Sequence, residues 1–183
     1  PYYITQSGLV PQGLPNHNSV FSPSGKAFDL KQSDKQLEAR MEATSAEGVR
    51  LVKIYRVRNA AKPTSVTTNP YVVDVSFEVT NGSAQAVAPT AYFQLLRDNT
   101  PPLGGQRFVS TYTGPALFTQ ADKFRKISFD DIDKDKAKEP WAAKDGWIGI
   151  MQHYFVAAWL PQGDVQRDFY MGTVDGKYRV GVK

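Results

Sequence analysis

Two histidines, His17 and His153, and a scattering of carboxylates are the side chains of this sequence most able to do acid–base chemistry. A sugar epimerase needs a general acid and a general base converging on one ring. His153 with Glu78 or Glu139 is the only combination to consider for that role, and the spacing gives no reason for them to meet. Asp131, Asp133 and Asp135 imitate the first three ligands of a calcium loop. Lys136 then stands where the sharp turn requires glycine and Ala142 where a bidentate glutamate is needed, so the EF-hand pattern fails. No HExxH, CxxC or facial-triad spacing occurs, and no metal site or cofactor is expected.

Other short motifs are equally incomplete. PSGKAF lacks the earlier glycine of a phosphate loop, because position 20 is Val20. Gly104-Gly105-Gln106 matches the peptidyl-hydrolysis tripeptide of release factors in its three residues alone. Asn81-Gly82-Ser83 is a formal glycosylation sequon that also reads as a strand-ending turn. With no cysteine there is no disulfide framework and no thiolate chemistry. No nucleophile is paired with a base, and the expectation is a non-enzyme without catalytic residues.

The elements that would hold these residues are strands. YVVDVSFEVTNG places Tyr71, Val73, Val75, Phe77 and Val79 on one face and Asp74, Ser76, Glu78 and Thr80 on the other. Leu37, Ala39, Met41 and Ala43 alternate in the same way, and SAEG then turns the chain into VRLVKIYRVRN. Arg50, Lys53, Arg56 and Arg58 read as a solvated strand face rather than a nucleic-acid stripe, consistent with a net charge of only +4. TAYFQLLR and FVSTYTGPALFT add strands, and FYMGTV and KYRVGV flank the hairpin signal Asp175-Gly176. Residues 1–30, rich in Pro, Gly, Asn and Ser, read as a loop-rich lead-in. Seven or more short strands point to an all-β sandwich, with a short helical or irregular connection around 120–145.

The longest apolar run is GWIGIMQHYFVAAWLP, residues 146–161. As a helix from Trp147 to Leu160 it would rise roughly 21 Å at about 1.5 Å per residue, short of the roughly 30 Å hydrocarbon core. Its Gly and Pro boundaries and its aromatic and β-branched content favour a core strand, while Met151, Ala157 and Ala158 keep a buried helix as the alternative. The 183 residues suffice for one domain with a proper core, and the opening Pro1 suggests a processed piece.

TYTGPALFT (111–119), KFRKISFDDI (123–132) and GWIGIMQHYFVAAWLP (146–161), in that order, together with ITQSGL (4–9) and FQLLR (93–97) ahead of a Pro-Pro turn, resemble the periplasmic domain of the YidC family, the bacterial Oxa-type membrane protein insertases. The resemblance implies a β-supersandwich fold similar to galactose mutarotase. It also implies a single periplasmic domain over 1–183 that lacks the family's first and last strands and its transmembrane helices. The implied place is the periplasmic face of the bacterial inner membrane, with attachment only through helices outside this chain. The implied role is a non-enzymatic accessory domain that assists insertion and folding of inner-membrane proteins. The implied partners are the SecDF and SecYEG translocon and nascent membrane proteins, with no nucleic acid.

The same resemblance places the family's SecF-contacting part within about 93–144. Phe124, Phe129, Asp130, Asp131, Asp133 and Trp141 are accordingly the candidate partner-binding residues, the alternative being that the segment's apolar residues only staple it to the sandwich. The alternative is a carbohydrate-binding or mutarotase-like module, with Trp147, His153, Tyr154 and Trp159 as a ligand cleft and Trp141 as a further stacking surface.

Overall fold

The computed structural model describes residues 2–59, 72–101, 112–137 and 141–183. Tyr71, Glu139, the Gly104-Gly105-Gln106 tripeptide and the FVST half of one expected strand lie outside the described residues. The chain divides into two compact units, one of residues 1–8 with 90–183 and one of residues 9–89.

The unit of residues 9–89 carries an antiparallel sheet of β2 (Ser22–Pro23), β3 (Gln36–Thr44), β4 (Val49–Arg58) and β5 (Val73–Asn81), in that order. β3 and β4 meet at the SAEG turn, where Ser45 N–H donates to the Val49 carbonyl at 2.8 Å and Gly48 N–H to the Ser45 carbonyl at 3.1 Å. Glu38 stands opposite Arg56 across the pair, and the Arg56 Nε lies 2.7 Å from its carboxylate. Arg40 with Glu78, Arg50 with Glu42, and Arg58 with Asp74 at 3.0 Å continue a ladder of exchanged charge. The arginines thus occupy a solvated, self-neutralised face. Lys53 departs from that expectation: its odd position puts it on the other face of β4, where it is buried with its Nζ 4.1 Å from the centroid of the Phe21 ring.

The other unit begins with β1 (Tyr3–Val10), whose first residues belong to it. The expected lead-in therefore contains a strand. It lies beside β6 (Thr90–Arg97) in the five-stranded order β1-β6-β13-β12-β9, with β9 (Trp141–Ala143), β12 (Arg167–Val174) and β13 (Lys177–Val182). A four-stranded sheet, β11-β10-β7-β8, is formed by β7 (Thr113–Thr119), β8 (Lys123–Lys126), β10 (Trp147–Gln152) and β11 (Phe155–Trp159). Leu95, Phe169, Met171 and Val180 of the first sheet and Leu117, Ile148 and Ile150 of the second share one core. This is sandwich packing within the unit. The all-β antiparallel class agrees with the sequence reading, as does the short helix α1 (Phe129–Asp133) in the expected connection.

The run 147–160 is not one strand. It folds back on itself at His153-Tyr154, pairing Gln152 with Phe155 and Ile148 with Trp159. Only β10 is a core strand; β11 is half exposed and forms one border of its sheet among the described residues. Gly149 permits the fold-back, since a Cβ there would stand 2.4 Å from the Ala157 carbonyl oxygen.

Candidate partner-binding surface

The segment 123–143 is built from the core outward. Ile127 N–H donates to the Pro115 carbonyl at 3.0 Å, which ties the end of β8 to β7. Ser128 then caps α1: Asp131 N–H donates to the Ser128 Oγ at 3.0 Å, and the Ser128 N–H and hydroxyl both donate to the Asp131 carboxylate, at 3.4 and 2.6 Å. This is a capping box with Asp in the place of the usual Glu. The Ser128 hydroxyl holds the Asp131 carboxyl below the usual carboxylate range.

Phe129 and Ile132, three residues apart, share the inward side of α1 and are buried. The Phe129 ring lies 4.3 Å from that of Tyr178 and 5.9 Å from the Arg97 guanidinium. Tyr178 in turn donates its hydroxyl proton to the Asp133 carboxylate at 2.8 Å. Burial pushes the Tyr178 phenol up to about 12, with the bond to Asp133 adding to it. Trp141, on β9, belongs to the same core.

Of the six candidate partner residues, then, Phe129 and Trp141 face the core as apolar contacts, and Asp131 and Asp133 are engaged by Ser128 and Tyr178. Phe124 and Asp130 face water. Phe124 is half exposed on β8, its ring 6.0 Å from that of Trp147. Register explains the pair: Phe118 of β7 stands opposite Phe124 on one side and Trp147 on the other. Asp130 is exposed, with Lys134 Nζ 3.6 Å from its carboxylate.

The four residues of the candidate ligand cleft have different environments. Trp147 pairs with Phe124. Trp159 packs against the core and lies 5.2 Å from the Phe93 ring, and among the described residues its buried indole N–H has no acceptor. His153 and Tyr154 form the β10–β11 turn, rings 3.9 Å apart and edge-on, with Tyr154 almost wholly in water. Trp141, the further stacking surface considered, is buried in the core cluster, with an edge on the open pocket lined by Arg125, Lys126 and Lys136. Tyr112, within the TYTGPALFT block, carries no role in the sequence reading. It sits just before β7, its single hydroxyl proton lies between the carbonyls of Pro115 and Ile127, and its own carbonyl accepts from His153 N–H at 3.2 Å. Burial pushes the Tyr112 phenol up to about 12.

The family model of the YidC periplasmic domain matches residues 1–183. Relatives named membrane protein insertase YidC include those of Dechloromonas aromatica, 41% identical over 98% of this chain and 32% of the relative, and Nitrosospira multiformis, 41% identical over 98% and 30%. The relative from Cupriavidus necator is 44% identical over 99% of this chain and 31% of its own length. The chain thus spans about a third of the curated relatives it matches. With the match extending over the whole chain and the antiparallel β architecture on which the motif blocks lie, this chain belongs to the YidC periplasmic domain family.

Proposed function

We propose that this chain is the non-enzymatic accessory domain of a membrane protein insertase at the periplasmic face of the bacterial inner membrane, and that residues 1–183 act there as one domain. In this reading it assists insertion and folding of inner-membrane proteins by presenting the outer side of the β8–α1 segment to SecDF of the translocon. The observation that carries the reading is the two-sided character of that segment. Phe129, Ile132 and Trp141 fix it to the core, while Phe124, Asp130 and the cations of β8 face water. Long connections on a rigid β scaffold are common recognition sites, and an apolar residue among charges of both signs suits a modest, polar interface. The non-enzymatic part rests on the sequence, in which no nucleophile is paired with a base.

The test uses the full-length insertase. Phe124→Asp and Asp130→Lys, made separately, should each lower co-purification with SecDF by about fivefold, a loss of roughly 1 kcal/mol. Both side chains are exposed, so the melting temperature should hold. Undiminished co-purification for both variants would remove this surface as the docking site.

A further inference from the structure

The β10–β11 turn holds apolar side chains in water that the packing of the fold leaves unexplained. Tyr154 is 88% exposed, Phe155 76% and Val156 58%. Single exposed apolar residues are ordinary, whereas three in succession at a turn mark an interaction site. The backbone is committed to presenting them. His153 has φ 56°, a left-handed conformation that glycine adopts freely and other residues resist. Its ring packs edge-on against Tyr154, and its N–H is held by the Tyr112 carbonyl. Strain retained at an exposed turn is a pointer to function.

Tyr112 links this tip to positive charge. Lys126 Nζ lies 4.9 Å from the centroid of its ring. Arg125, Lys126 and Lys136 line an open pocket of about 420 Å³ with Ile127, Ala137 and Trp141, three cations against the single carboxylate of Asp131. Arg125 shares its charge with Asp122 at 3.8 Å, which leaves Lys126 as the cation nearest the tip. A protruding aromatic tip with cations one residue behind it is the make-up of an interfacial anchor. Aromatic rings settle at headgroup depth and cations meet the phosphates. The relatives are named for inserting membrane proteins, an activity that takes place at a bilayer.

We propose that the His153–Val156 tip, with Arg125, Lys126 and Lys136 behind it, docks on an anionic phospholipid surface. This goes beyond the SecDF reading and uses different residues for its test. The measurement is flotation of the chain with vesicles of equal parts phosphatidylglycerol and phosphatidylcholine, against phosphatidylcholine alone. The chain should float with the anionic vesicles and stay behind with the neutral ones. Tyr154→Ser with Phe155→Ser should lower apparent affinity by at least about tenfold, because two interfacial rings are lost, while circular dichroism and the thermal melt stay unchanged. Arg125→Gln, Lys126→Gln and Lys136→Gln together should erase the preference for phosphatidylglycerol. Absence of flotation, or flotation indifferent to the tip double variant, overturns the proposal. So does calorimetric binding of inorganic phosphate without flotation, which would identify a free-anion pocket. Loss of SecDF co-purification in a tip variant that still floats normally would assign the tip to a protein partner and overturn it equally.

Discussion

Asp131 and Asp133 carry charges that the fold itself uses, and this changes what a charge reversal in the segment would report. Asp131 closes the capping box with Ser128, and Asp133 receives the proton of the Tyr178 hydroxyl. Reversing either would disturb packing around Phe129 before any partner noticed. Ser128→Ala should therefore destabilise the protein by about 1 kcal/mol, the usual cost of a lost N-cap. The Asp131 carboxyl is held low by that serine, so its contribution is present above the ordinary carboxylate pKa and is lost as pH falls through the folded value. The difference between wild type and Ser128→Ala in urea melts should accordingly narrow below about pH 4. A gap that stayed constant with pH would show that the cap acts only through the serine. The sequence reading picked out this segment by its mixture of apolar and charged residues. It could not divide Phe129 and Ile132 from Asp130, since α1 spans five residues and i,i+3 spacing over a single turn is too short a pattern to stand out.

At the scale of elements, two hairpins show what makes a turn legible. Asp175 and Gly176 both have positive φ, at 49° and 68°, as a two-residue turn between twisted strands requires, and their residue types announce it. The turn at His153-Tyr154 joins two strands over the same distance with no Gly, Asn or Asp, so the sequence around it reads as one apolar strand. The lead-in strand β1 was hidden differently, since YITQSGLV has no clean apolar alternation and is followed by Pro- and Gly-rich turns. The borders of the β7–β11 sheet also differ. β8 carries Lys123, Arg125 and Lys126, which discourage strand addition, whereas β11 has no charge. Close approach of β10 and β11 at Gly149 gives a sharp prediction. A Cβ there would meet backbone atoms of Ala157 and Ala158 at 2.4 and 2.8 Å, and backbone cannot rotate away as a side chain can. Gly149→Ala should cost about 3 kcal/mol, the upper end for overpacking, measured by denaturant melts. A loss under about 1 kcal/mol would mean that β11 shifts cheaply and is weakly held.

At the scale of the whole molecule, the family and the all-β class were legible because they rest on blocks spread along the chain, whereas the division into two compact units leaves no mark in composition. The units differ in how they respond to alkali. In the unit of residues 9–89, burial lowers the Lys53 ammonium to about 8, so the unfolded chain binds more protons than the folded one between there and 10.5, and stability rises with pH. In the other unit, burial pushes Tyr3, Tyr112 and Tyr178 up to about 12. Their contribution is complete below pH 10 and is lost as pH climbs toward about 12, where the unfolded chain binds fewer protons. Lys53→Met removes the desolvation cost and the Phe21 contact together, so it should stabilise at neutral pH by only about 1 kcal/mol, and its advantage should fade between about pH 8 and 10.5. All three tryptophans, Trp141, Trp147 and Trp159, lie in the unit of residues 90–183, so their fluorescence reports that unit while circular dichroism reports both. If residues 1–183 behave as one domain, Lys53→Met moves the fluorescence midpoint in urea together with the dichroism midpoint. A fluorescence midpoint that ignores Lys53→Met while the dichroism midpoint shifts would show two separately folding units and retire the single-domain proposal.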